Sequence, residues 1–326
     1  MQDRYRLAAE VTELATLEER AALASRSRGR EVAEPEDAVR TCWQRDRDRI
    51  VHSKAFRRLA HKTQVFLAPE GDHYRVRLTH TLEVNQVART IARALKLNED
   101  LVEAICLGHD LGHTPFGHLG EEVVAEFMPG FRHNLQSVRI VEVLEALNLT
   151  WEVRDGIAHH TWSMPMPSTL EGRIARYADR IAYLNHDIDD AVRAGILDEK
   201  ELPDETLEVL GSTHSERIET MVLDLVAGFR ETGEIGMSDT VFGAMGLTRE
   251  FLFERVYLGR ITTATRDIVA VVVRALLEHH ESLAPPGAGD PREQAVDYVA
   301  GMTDRFALRA FAELAGSPAP TFGALG

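Results

Sequence analysis

The chain has 326 residues, 44% of them apolar, and a formal net charge of −15. That size and apolar share suit one large domain, or a domain with a helical appendage, and exclude a disordered chain. The acidic balance argues against broad attraction to nucleic acid or to an anionic membrane, and the longest apolar runs, such as Ile268 to Val273, fall far short of the roughly 20 residues that span a bilayer.

Apolar residues recur at helical spacing along most of the chain, so the fold reads as mainly α. Helices are predicted over Ala9–Ser25, Ile50–Leu59, Thr79–Leu95, Glu99–Leu107, Gln136–Leu147, Val153–His160, Leu170–Arg193, His214–Glu231, Arg249–Glu278 and Arg292–Leu314. In the third of these, Val84, Val87, Ile91 and Leu95 form one stripe and His80 falls in the first turn. Val65–Phe66 and Tyr74–Val76 could pair as a short hairpin around Pro69 and Gly71. Thr161–Ser168, with two prolines, reads as a loop, and Ala284–Pro291 as a linker. The chain divides into an N-terminal helical segment (1–42), a core (43–200) and a C-terminal helical region (201–326). Cys42 and Cys106 cannot form a disulfide framework or a zinc-finger site, and both read as core thiols. No charged-then-apolar leader opens the sequence, so a cytoplasmic location is expected.

Charge is uneven. Arg40 to Arg77 carries ten Lys or Arg against four acids. An anionic ligand could dock there, and a solvated basic face with internal salt bridges accounts for it at least as well. More decisive is residues 109–121, which pack His109, His113, His118, Asp110 and Glu121 into thirteen positions broken by glycines and a proline. Imidazole and carboxylate together suit Mn, Fe, Co or Zn, with Mg also compatible. Adjacent helical side chains diverge by about 100 degrees, so His109 and Asp110 can face one ion only at a helix end. Along Leu170–Arg193, Ile174, Ala178, Ile181 and Ile188 mark a buried stripe, while Asp179, Tyr183 and Asp187 form a polar one beside His186. An ordinary solvated face is the competing reading of that second stripe. His159 and His160 read first as packing or surface, and Trp162 as core.

His80, the His109–Asp110 pair and the distant Asp179 resemble the HD superfamily pattern in order. The words at 44–50 (QRDRDRI), 52–59 (HSKAFRRL), 62–64 (KTQ), 77–80 (RLTH), 109–121, 133–137 (HNLQS) and 178–183 (ADRIAY) are similar to one branch, the dGTPase family. The likeness covers about 43–190 and says little of the rest. It implies an HD-domain helical bundle with additional C-terminal helices, binding one divalent ion (Mn, Mg or Co, with Fe or Zn compatible) through His80, His109, Asp110 and Asp179. His118 would be catalytic and Glu121 would orient it, His113 and His133 would contact phosphates, and Arg77, Arg180, Tyr183 and Asp187 would surround the triphosphate and sugar. Gln64 and Val65 match positions beside the deoxyribose. The family's commoner form has proline where this chain has Thr114.

The resemblance thus implies a triphosphohydrolase that converts a dNTP, dGTP or several, to deoxynucleoside and tripolyphosphate. Family members are commonly homo-oligomers, often hexamers, and often activated by dNTPs bound elsewhere. Other HD-domain nucleotidases and phosphodiesterases share the metal pattern. A protein that only binds dNTP or single-stranded nucleic acid through the 40–77 cluster is the non-enzymatic alternative.

Overall fold

The computed structural model describes residues 4–64, 75–258, 263–285, 287 and 289–320. They form α1 (Arg4–Thr16), α2 (Cys42–His52), α3 (Lys54–Arg58), α4 (Arg77–Leu95), α5 (Glu99–Gly108), α6 (Gly117–Phe127), α7 (His133–Arg139), α8 (Trp151–His159), α9 (Leu170–Arg193), α10 (Asp204–Leu210), α11 (His214–Thr232), α12 (Asp239–Leu252), α13 (Thr263–Leu283), α14 (Pro291–Ala300) and α15 (Asp304–Ala315). No strand occurs among the described residues, as a mainly helical HD-type bundle requires. Residues 65–74, and with them most of the expected hairpin, lie outside the described residues, but an antiparallel bridge joins Thr63 to Val76 at its base.

Several expected helices are divided, each for a local reason. Ser53 ends α2 and caps α3 by accepting the Phe56 N–H at 3.0 Å, so the helix expected over Ile50–Leu59 is two. Thr303 likewise caps α15 and splits the helix expected from Arg292 to Leu314. The stretch expected to begin at Arg249 belongs to α12, which passes through a π-helical turn at Phe253–Leu258 before α13. Another π-helical turn, Ile140–Leu144, follows α7. α6 and α10 had no counterpart in the periodicity.

Two apolar cores organise the chain. In the first, α4, α5 and α9 pack on one another, with α2 and α8 against α5 and α11 against α4 and α9. Its centre includes Trp43, Ile91, Leu101, Ile105, Ile157, Ile174 and Ile181, all fully buried, and Cys106 joins them as expected. The second joins α6 to α13, with α14 and α15 on α13: Phe116, Leu119, Val123 and Val124 meet Val272, Leu276, Val296 and Val299. The cleft described next lies between these cores.

Candidate active site

Three helices of the first core deliver the corner that is the candidate for a metal ion. His80 comes from the first turn of α4, Asp179 from the middle of α9, and His109 is the residue that ends α5. That ending lets Asp110 turn toward the same point. Gly112 serves packing here: a Cβ would lie 2.2 Å from the backbone nitrogen of Ser137, so only glycine lets the segment lie against α7.

His109 Nδ1 lies 2.6 Å from the Cys106 carbonyl, which fixes its proton there and leaves Nε2 as a bare lone pair. That buried Nε2 has no hydrogen-bond partner among the described residues. It sits 3.6 Å from Asp110 Oδ2 and 3.7 Å from Asp179 Oδ1, and His80 Nε2 is 3.2 Å from the same Asp179 oxygen. An ion with bonds of about 2.1 Å separates adjacent ligands by roughly 3.0–3.4 Å; the His80–Asp179 distance falls in that range and the two His109 distances exceed it by a few tenths of an ångström. His80, His109 and Asp110 could together hold a metal ion. Behind them, His186 Nδ1 lies 3.4 Å from His80 Nδ1, and its other nitrogen 3.1 Å from Glu83. Burial would raise the Asp110 and Asp179 carboxyls, but their neighbours, His109 and Arg77 for Asp110 and the His80 hydrogen bond with His109 for Asp179, hold both well below the usual range.

Across the cleft, α6 carries His118 and Glu121. The Glu121 carboxylate lies 2.9 Å from His133 Nδ1, 3.6 Å from His118 Nδ1 and 3.8 Å from His113 Nε2. Burial works against both charges, yet the pairing prevails: Glu121 is held far below its ordinary value by His133, and His133 is raised by Glu121. His133 Nε2 faces His160 Nε2 at 3.2 Å, and His160 is lowered to about 3 by burial and by His109 and His133. Its Nδ1 lies 2.8 Å from the Ile157 carbonyl, so it receives rather than gives the His133 proton. His118, with 52% of its side chain exposed, faces the cleft.

The cleft holds about 500 Å³. Arg77 is 2% exposed; its Nη1 donates to Asp110 Oδ2 at 2.8 Å, whereas Nε and Nη2 have no partner among the described residues. Beside it, α6 begins with no side-chain cap, so its first amides remain available to an anion. Thr114, the departure from proline, donates its hydroxyl to the Gly117 carbonyl at 3.0 Å. Gln64, Arg180 and Tyr183 also line the cleft, and Arg180 lies over the Trp162 ring. Asp187 is fully buried and outside the lining, and Val65 lies outside the described residues.

Sequence reasoning underrated four contributors. His160 belongs to the histidine network, and Trp162 to the cleft wall although it read as core. Arg249 and Arg266 complete the wall from the C-terminal region, where the resemblance was silent.

The HD domain family matches residues 77–184, and the phosphohydrolase-associated domain family matches 235–313. A deoxyguanosinetriphosphate triphosphohydrolase-like protein of Caldanaerobacter subterraneus is 52% identical, over 93% of this chain and 93% of its own length. The chain belongs to the dGTPase-like family of HD-domain phosphohydrolases. A relative of the same description from Clostridium tetani is 45% identical over 87% of this chain and 88% of its own length. A crystal structure of a hypothetical protein from Aquifex aeolicus aligns with a TM-score of 0.49 at 21% identity, over 82% of this chain and 69% of that one. The HD domain match contains His80, His109, Asp110 and Asp179 and also His113, His118, His133 and His160, whereas Gln64 precedes it, His186 follows it and Arg249 and Arg266 lie in the associated segment. No helix among the described residues is long and apolar enough to cross a membrane.

Proposed function

We propose that the protein hydrolyses a deoxynucleoside triphosphate to the deoxynucleoside and tripolyphosphate, using one divalent ion (Mn, Mg or Co) held by His80, His109, Asp110 and Asp179. The observation that carries this reading is Arg77: a buried guanidinium with two undirected nitrogens, beside the uncapped start of α6 and against the metal corner. A buried cation with open donors suits a phosphate chain, which satisfies several N–H groups at once.

The ion, when bound, would polarise an α-phosphate oxygen and acidify a water. Arg77 and the α6 amides then hold the phosphates, joined by Arg180 from α9. His133, kept cationic by Glu121, adds positive charge beside the phosphates while its two N–H groups are held by Glu121 and His160, and His113 donates to a phosphate oxygen. His118 stands over the scissile bond with Glu121 to orient it. Water oxygen bonds to the α-phosphorus, the bond from phosphorus to O5' breaks, and His118 delivers a proton to the departing O5'. Gln64 would face the deoxyribose, its buried Oε1 having no partner among the described residues. Val65 would adjoin it, and Tyr183 would serve the sugar and phosphates.

Hydrolysis of dGTP in ¹⁸O-labelled water tests the bond that breaks. Label is expected in tripolyphosphate and absent from deoxyguanosine by mass spectrometry. Orthophosphate or pyrophosphate as the first product, or label in the nucleoside, would overturn the proposal. Screening the four dNTPs with Mg, Mn and Co assigns substrate and metal.

A further inference from the structure

One carboxylate from the end of the chain ties together both rims of the cleft. Asp304, the first residue of α15, is 5% exposed and does not line the cleft. Its Oδ2 accepts the Thr63 backbone N–H at 2.9 Å and the Thr63 hydroxyl, and its Oδ1 accepts the Phe116 backbone N–H at 2.9 Å. Thr63 directly precedes Gln64 on one rim. Phe116 directly precedes Gly117 and His118 on the other.

Phe116 has φ of 63°, a left-handed conformation that a residue with a side chain holds only when its surroundings enforce it. The Asp304 bond fastens that residue from outside the helix it starts. Next to Thr63, the buried ammonium of Lys62 donates to the His113 carbonyl and, at 2.8 Å, to the Ala300 carbonyl, while the Lys62 carbonyl accepts the Arg77 N–H at 3.1 Å. Residues 300–304 therefore reach the cleft through two consecutive residues of the 62–64 segment.

We infer that Asp304 is a positioning residue for the hydrolysis, setting the separation between Gln64 on the sugar side and His118 on the scissile side; this rests on the reaction proposed above. Only a carboxylate serves here, because each of its oxygens faces donors from a different rim. An asparagine keeps one acceptor oxygen and turns its NH₂ toward an N–H on the other rim, so the tie is cut and both rims lose the restraint it gave them.

Asp304→Asn and Thr63→Val separate the arms, the latter removing only the hydroxyl bond. Asp304→Asn is expected to lower kcat at least tenfold and to narrow the preference for dGTP over GTP severalfold, with metal content unchanged. Thr63→Val should narrow that preference while leaving kcat near wild type. Hydrogen exchange gives a readout without substrate: amides of 62–64 and of 114–118 should both exchange faster in Asp304→Asn. Unchanged kcat and preference, or faster exchange in only one segment, would overturn the assignment. If wild type fails to hydrolyse any dNTP, the proposed reaction falls; faster exchange of both segments with metal retained would still support Asp304 as the tie between the rims.

Discussion

The two walls of the cleft are built on different cores. Every residue of the candidate metal corner lies on or just beyond a helix of the first core, where α4, α5 and α9 pack mutually; His80, His109 and Asp110 are nearly fully buried and Asp179 is partly exposed. His118 and Glu121 stand on α6, whose apolar face packs in the second core against α13. The metal corner needs convergence of donors within about 4 Å, and a rigid three-helix junction supplies that. The wall that carries His118 would, in the proposed reaction, need one helix held at the right distance from the corner, and C-terminal helices can supply that. Binding and turnover should therefore be separable by mutation.

The largest separation is expected from Asp179→Ala. Losing this carboxylate removes a ligand and a charge from the first wall, so metal content and turnover should fall together to background, by elemental analysis and a tripolyphosphate assay. Full metal occupancy with full activity would sink the four-ligand assignment. His118→Ala should do the opposite, lowering kcat by about 10²–10⁴-fold while metal content and dNTP binding persist. Loss of dNTP binding along with turnover would move His118 into the binding role. Leu276→Ala opens the second core beneath α6 and should cost about 2–5 kcal/mol in denaturant unfolding. If the walls are independent, this variant loses kcat before it loses metal affinity; parallel losses would show that the cores act as one.

The smallest effect concerns the strap between them. Burial and the neighbouring Arg77 lower the Lys62 ammonium from 10.5 to about 7. Between those values the unfolded chain keeps the Lys62 proton and the folded chain has released it, so this group makes stability rise with pH. The rise is at most about 1.4 kcal/mol per pH unit. Unfolding of wild type and Lys62→Met at pH 7, 8 and 9 should give the shallower rise in the variant, and equal slopes would show that Lys62 stays charged. Asp304, Arg58 and Asp110 also act on Lys62 and remain in both proteins.

The first wall was legible in the sequence because its chemistry is local or periodic. The stripe of Val84, Val87, Ile91 and Leu95 fixed the face of α4, and the apolar stripe of α9 predicted its bounds, Leu170 to Arg193, as found. The second wall was not. Gly117 and Gly120 disguised α6 as loop, because glycine signals a break, whereas Gly120 is needed for contact: a Cβ there would lie 2.0 Å from the Pro115 carbonyl oxygen. Nor does any pattern mark Asp304, whose partners lie 188 and 241 residues away. His160 was undervalued because its relevance depends on the tautomer that the Ile157 carbonyl imposes.

The second core also has a consequence for synthesis on the ribosome. Its helices α6 and α13 are separated by the whole of α7 to α12, so α6 emerges long before its partners. At roughly 5–20 residues per second, a gap on the order of 150 residues is a wait of about 7–30 seconds. During that wait Leu119, Val123 and Val124 have no apolar surface from α13 or α14 to meet, and a chaperone that holds nascent apolar helices has its substrate there. Asp304 comes later still. A nascent chain can thus bring His80, His109, Asp110 and Asp179 together before α15 has joined Thr63 to Phe116 through Asp304.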